Sequence, residues 1–365
     1  MDAASALWKA SPPNLPDRPS QPAIIVCGAG AFGRNHLRVY TELARQGFPV
    51  RLAAIVEPNA DRAATAASDF GLPVFSSVAE CLTARADGRI AFDAASVCVP
   101  TSAHFEVAEA LLSAGLDLLV EKPIATTVQD AASLVSRAAR DRRILQTGHL
   151  ERFNPVVTAT VPILNHPMFF EAHRLSIFSP RSLDVDVVLD LMVHDLDIVL
   201  SMARSPVRSL HAVGLPILSH KVDIANVRIE FESGCVANFT ASRVSTERVR
   251  KLRFFQPHQY VSIDYARQDL LVIDVSGAAQ MHPVSEARRI GGADALPGLH
   301  FEKPPVQPGE PLRLEIESFL DCVRTRSAPR VSGEDGRAAL ALALDINAAI
   351  AAHAERAGLD QFRRS

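Results

Sequence analysis

Ala23-Ile24-Ile25-Val26-Cys27-Gly28-Ala29-Gly30-Ala31-Phe32-Gly33 decides the fold. Five apolar residues run without a break into a Gly-x-Gly-x-x-Gly cluster, and a helical stretch follows to Gln46-Gly47. An unbroken apolar run is how a strand buried on both faces reads, and such strands belong to parallel sheets covered by helices. Each glycine has its own task. The first makes the tight turn, the second lets backbone approach a pyrophosphate, and the third lets the helix pack close to the strand. The helix N-terminus adds unpaired N–H groups and the positive end of its dipole. Gly28, Gly30 and Gly33, with Ala31 and Phe32 between them, are therefore the expected phosphate loop of a dinucleotide site.

Downstream of this loop, 50–56 reads as a second strand and ends at Glu57. A carboxylate there suits the ribose hydroxyls of NAD and repels a 2′-phosphate, so NAD is expected over NADP. Arg62, close by, is the feature that keeps NADP as an alternative. Strands over 74–75, 94–99, 118–120 and 144–147 alternate with helices over 60–70, 103–114 and 128–142. That alternation predicts a doubly wound parallel α/β sheet over residues 22–148. Residues 1–21, rich in Pro, Ser and Ala, read as a loose tail. From 149 to 365 the texture changes. Strands over 169–177, 207–216, 223–231, 235–243, 248–255, 259–265 and 269–275 follow one another through short turns, the pattern of a large, mostly antiparallel sheet. One helix, 186–202, interrupts them, and two more, 312–326 and 334–357, close the chain. The fold class is thus a Rossmann-type α/β domain followed by an α+β domain, with a long Gly/Pro-rich loop over 288–308.

Bulk properties bound the function. The chain has 365 residues, 48% of them hydrophobic and 22% charged, with a formal net charge of −3. A length of this size suggests about two domains. The lack of a basic excess argues against a nucleic-acid partner. No apolar run reaches the ~18 residues of a membrane helix, so no membrane partner is expected. The five cysteines are scattered and never form a CxxC pair, which points to a reducing, cytoplasmic setting and to no metal site.

Three further segments carry chemistry. Val97-Cys98-Val99-Pro100-Thr101-Ser102-Ala103-His104 ends a strand at the sheet's carboxyl edge, so Pro100, Thr101 and His104 are read as a cofactor-side wall. Glu121-Lys122-Pro123 ends the next strand. A lysine there is unusual, since a desolvated ammonium is costly, and a ligand-facing place explains it. Gly148-His149-Leu150-Glu151-Arg152-Phe153-Asn154-Pro155 lies where the chain leaves the first domain, a usual place for a cleft. On the 186–202 helix, Asp190 and His194 stand at i and i+4 and share a face. A carboxylate beside an imidazole is the layout of a general base.

Taken in order, the glycine loop, Glu121-Lys122-Pro123 and Asp190-x-x-x-His194-x-x-Asp197 resemble the glucose–fructose oxidoreductase, inositol dehydrogenase and rhizopine catabolism (Gfo/Idh/MocA) superfamily. The resemblance runs from about residue 22 to 355. The segments 148–155 and 190–197 look most like its UDP-N-acetylglucosamine 3-dehydrogenase branch, whose product a transaminase converts to a 3-amino sugar for lipid A. The resemblance implies that Lys122 polarises the reacting hydroxyl, that His194 takes its proton with Asp190 in support, and that hydride passes to nicotinamide. It implies a sugar substrate, NAD-linked turnover and a homodimer or homotetramer. Under it, Glu121 joins the cofactor site. Arg152, Arg174 and Arg243 are substrate-side candidates for a diphosphate, and Asn154 for contact with sugar or nicotinamide. Arg248, Arg250 and Arg253 are read as a solvated strand face.

Overall fold

The computed structural model describes residues 20–178, 185–275 and 300–359. The expected tail, apart from its last two residues, and most of the 288–308 loop lie outside them.

Six parallel strands form the first sheet: β1 (Ala23–Cys27), β2 (Arg51–Val56), β3 (Val74–Phe75), β4 (Ala94–Val97), β5 (Asp117–Glu121) and β6 (Leu145–Gly148). Their order is β3-β2-β1-β4-β5-β6, the classic dinucleotide-fold order, with ligands expected at the carboxyl ends near the switch point. Every residue of β1 is buried, as its unbroken apolar run requires. The helices α1 (Ala31–Arg45), α2 (Ala60–Phe70), α3 (Val78–Ala86), α4 (His104–Ser113) and α5 (Val128–Arg140) cover the faces. Sequence reading passed over α3, although the chain signals its start. The Ser77 hydroxyl accepts the Glu80 N–H at 3.1 Å, the Ser-x-x-Glu signature of a helix N-terminus.

A short helix, α6 (Pro155–Thr160), leads into an eight-stranded sheet of β7 (Phe169–Ile177), β8 (Val207–Leu215), β9 (Ile224–Phe231), β10 (Val236–Ser245), β11 (Val249–Gln256), β12 (Gln259–Asp264), β13 (Asp269–Asp274) and β14 (His300–Glu302). The order is β14-β13-β12-β11-β7-β10-β9-β8. Among these neighbours only β7 and β10 run parallel. A crossover helix, α7 (Val193–Ala203), leaves β7 and makes that parallel pairing possible. Along β10 the apolar Ala237, Phe239 and Ala241 are buried, while Asn238 and Thr240 alternate with them. Phe239 and Ala241 share one apolar core with Leu196 and Val199 of α7.

The two closing helices, α8 (Pro311–Thr325) and α9 (Gly333–Arg356), do not stay with the second sheet. Ile316, Phe319 and Leu320 of α8 are buried in the same core as Ile24, Val26 and Tyr40. Leu340 of α9 joins the other core of the first sheet, and Ala343, Ile346 and Ile350 join that of the second. By length and composition α9 passes as a membrane span; here its apolar positions are divided between those two cores.

Candidate active site

The glycine loop is built as its chemistry demands. Gly28 has φ +95°, and a Cβ there would lie 2.6 Å from the Cys98 carbonyl oxygen. A Cβ on Gly33 would lie 1.9 Å from the Gly28 carbonyl oxygen, so only glycine lets α1 sit this close to β1. Gly30 is the opposite case: a Cβ there would meet nothing within 4 Å. No side chain caps the start of α1, and its first N–H groups stay available to an anion. This cradle fits a dinucleotide pyrophosphate.

At the end of β2, Glu57 Oε2 accepts the Ala29 N–H at 2.7 Å. Its Oε1 accepts the Asn59 N–H at 3.0 Å and the Arg62 guanidinium at 3.0 and 3.1 Å. Burial pushes the Glu57 carboxyl up, but the two backbone N–H bonds and Arg62 outweigh it and hold it below its ordinary range. Glu57 is therefore a carboxylate tied to the phosphate loop, where the adenosine ribose of a dinucleotide lies.

Where the first sheet meets the helix segment that leads into α7, a cavity of about 490 Å³ opens. Phe32, Pro100, Thr101, Lys122, Asp190 and His194 all line it. His104 also lines it, and its two ring nitrogens lie 2.8 Å and 2.9 Å from the carbonyl oxygens of Pro123 and Val99. That bridge ties the strand-end loops of β4 and β5 together. Glu121 Oε1 lies 2.9 Å from His36 Nε2, and Gly148 leaves room for that carboxylate, since a Cβ there would be 2.7 Å from Glu121 Oε1.

Lys122 Nζ donates to the main-chain carbonyl of Asp190 at 2.7 Å. Burial lowers the ammonium's pKa, although the nearby Asp190 and Glu121 carboxylates oppose the shift. His194 is half-buried, with its Nδ1 out of contact with solvent. Burial, followed by the charges of Lys122 and Arg174, holds its pKa well below the ordinary 6.5. It is thus a neutral imidazole at pH 7, and its Nδ1 has no hydrogen-bond partner among the described residues.

The shared helical face expected for Asp190 and His194 takes a different form. Residues Val188–Met192 form a π-helical turn, and the α-helix begins only at Val193. The wider turn alters the i, i+4 register. Asp190 serves Lys122 through its backbone, and no bond joins its carboxylate to His194 among the described residues.

The substrate-side candidates divide. Arg152 does not line the cavity; it reaches Asp197 and the Arg330 carbonyl, both at 3.3 Å. Asn154 is buried, donates to Glu151 and to the Tyr265 carbonyl at 3.1 Å each, and caps α6. In the structure both side chains brace the domain junction. Arg243 lies against Asp223 at 3.6 Å and likewise falls outside the cavity lining. Arg174 does line it, held by Asp195 at 2.8 and 3.0 Å and by Glu151 at 3.1 Å. The solvated face expected for Arg248, Arg250 and Arg253 also needs correction. Arg248 is exposed and Arg253 lies 3.6 Å from Glu171, but Arg250 lines the cavity.

Comparison with known proteins agrees with this geometry. Residues 23–149 match the model of an oxidoreductase family with an NAD-binding Rossmann fold, and residues 165–256 match the GFO/IDH/MocA C-terminal domain. A UDP-N-acetylglucosamine 3-dehydrogenase from Acidithiobacillus ferrooxidans is 33% identical over 91% of this chain and 98% of its own length. A solved structure of that enzyme superposes with a TM-score of 0.80 at 32% identity, covering 91% of this chain and 98% of the other. An inositol 2-dehydrogenase from Rhizobium meliloti is 24% identical over 90% of this chain and 96% of its own. The WlbA dehydrogenase from Bordetella pertussis, solved with NADH and UDP-GlcNAcA, shares the fold at 17% identity and a TM-score of 0.70, over 91% of this chain and 97% of that one.

Proposed function

Because the chain belongs to the Gfo/Idh/MocA oxidoreductase family, with an NAD-binding Rossmann domain, we propose that it oxidises a nucleotide sugar, UDP-N-acetylglucosamine, at its 3-hydroxyl. The observation that carries this reading is the placement of Lys122 and a neutral His194 in one cavity beside the glycine loop.

The chemistry required is the loss of a hydride from a carbinol carbon and a proton from its oxygen, leaving C=O. NAD, when bound, supplies the hydride acceptor. Lys122 stabilises the oxygen as negative charge develops on it, the role of a fixed cation in a water-poor site. Its Nζ has three donors, so the bond to Asp190 leaves two for substrate. His194 takes the proton. Its depressed pKa keeps it in the base form at neutral pH, and the nearby cations favour its return to neutrality after each turnover. Asp190 fixes the lysine's direction through its carbonyl and acts as a positioning residue.

NADH absorbance with UDP-N-acetylglucosamine and NAD, beside myo-inositol, tests the reading. Turnover of the UDP-sugar is expected. Turnover of myo-inositol alone would replace it with the cyclitol activity that a relative's name carries. Lys122→Ala should still bind NAD and lose about two orders of magnitude or more in kcat; unchanged kcat would remove Lys122 from the chemistry.

A further inference from the structure

We propose that Arg250 is the residue that binds the substrate's phosphate; this rests on the nucleotide-sugar reading above and names the group that would set cyclitols apart. Two guanidiniums line the cavity, Arg174 on β7 and Arg250 on β11. The strand register sets them directly opposite each other, and like charges so placed destabilise a sheet unless anions separate them. Arg174 has those anions. Asp195 grips it with both oxygens at 2.8 and 3.0 Å, and Glu151 Oε1 accepts from it at 3.1 Å. The second Glu151 oxygen is held by Asn154.

Arg250 is left with Glu151 Oε1 at 4.0 Å, which is beyond a hydrogen bond. Its side chain is half-exposed, while its Nε is buried and has no partner among the described residues. Burial, the facing Arg174 and neighbouring Arg248 all disfavour its charge, against Glu151 and Asp195. A guanidinium does not deprotonate in answer to such surroundings. It is relieved by an incoming anion, and its planar fork matches a phosphate bidentately. An uncharged cyclitol brings no such partner. The diphosphate of a nucleotide sugar does, and it enters the same cavity that holds Lys122 and His194.

The test compares wild type, Arg250→Met and Arg250→Lys, each saturated with NAD, in calorimetric titrations with UDP, inorganic pyrophosphate and glucuronate. NAD binding itself serves as the check that each variant is folded. Wild type should bind UDP and pyrophosphate. Arg250→Met should weaken both about ten- to a hundredfold, the loss of one charge-assisted pair, and Arg250→Lys should recover part of it. The KM for UDP-N-acetylglucosamine should rise by a similar factor while kcat changes less. Equal UDP binding by wild type and Arg250→Met overturns the proposal, as does a wild type that binds neither UDP nor pyrophosphate. Loss of glucuronate binding with UDP binding intact also overturns it, because the arginine would then read a sugar carboxylate. Failure of the nucleotide-sugar reading shows separately, as a wild-type enzyme that binds UDP yet does not oxidise the UDP-sugar.

Discussion

His194 illustrates how surroundings set a residue's role. Burial lowers its pKa well below 6.5, and Lys122, Arg174, His149 and Arg250 push in the same direction. A base must be unprotonated to act, so kcat/KM depends on the fraction of His194 that is neutral in the free enzyme. A lowered pKa moves the acid limb down. The expected profile of kcat/KM is flat from pH 6.5 to 8 on its acid side and falls only below the ordinary histidine value. A half-maximal point at or above pH 7 in steady-state rates would contradict this assignment. Lys122 and His194 each stand in a short motif whose chemistry is local, so the sequence singles them out, and the structure brings both to one cavity. Arg250 is not singled out, since its alternation with apolar residues reads the same whether its face meets water or a cavity. Only the pairing of β11 with β7 decides that. Asn154 and Arg152 are harder to read for the opposite reason. Polar residues at a junction look like ligand contacts, and here they satisfy buried carboxylates and carbonyls.

Among the elements, the first strand and its glycine loop were readable because its apolar run is unbroken and because, at Gly28 and Gly33, steric demands leave glycine alone possible. Gly33 shows the tightest case. Its replacement by alanine sets a methyl 1.9 Å from the Gly28 carbonyl oxygen, and neither α1 nor β1 can yield without disturbing the buried core. Gly33→Ala should cost about 1–3 kcal/mol of stability, as overpacking does, and should weaken NAD binding. Gly30→Ala should leave stability nearly unchanged by comparison, since its Cβ would meet nothing within 4 Å. Thermal melts of the two variants make the comparison, and equal losses would refute the division of labour between these glycines. The π turn over Val188–Met192 was the element that periodicity could not foresee. Its apolar positions satisfy a 3.6-residue pattern closely enough to pass as α-helix, and tertiary packing chose the wider turn.

At the scale of the whole molecule, the sequence suggested two successive domains, but the chain returns. The strands announce their sheets through local alternation, whereas the destination of a late amphipathic helix depends on which surface remains uncovered. Phe319 on α8 is fully buried among Ile24, Val26 and Tyr40. Phe319→Ala should therefore cost about 3–5 kcal/mol and destabilise the dinucleotide-binding half. Loss of NAD binding in parallel with a lower melting temperature checks it. A cost under about 1 kcal/mol would mean that the site collapses freely around the gap.

That returning helix also fixes an order of events during synthesis. The glycine loop precedes it in the chain, and the core on that side of the sheet is shared between α1, α2 and residues 311–325. Domains that finish in sequence fold as they appear; here Ile24 and Val26 lack their last neighbours until residues 311–325 have been made. Packing around the phosphate-loop strand is thus completed by a segment far downstream of it, and a chain cut before residue 311 leaves Ile24 and Val26 without Ile316 and Phe319.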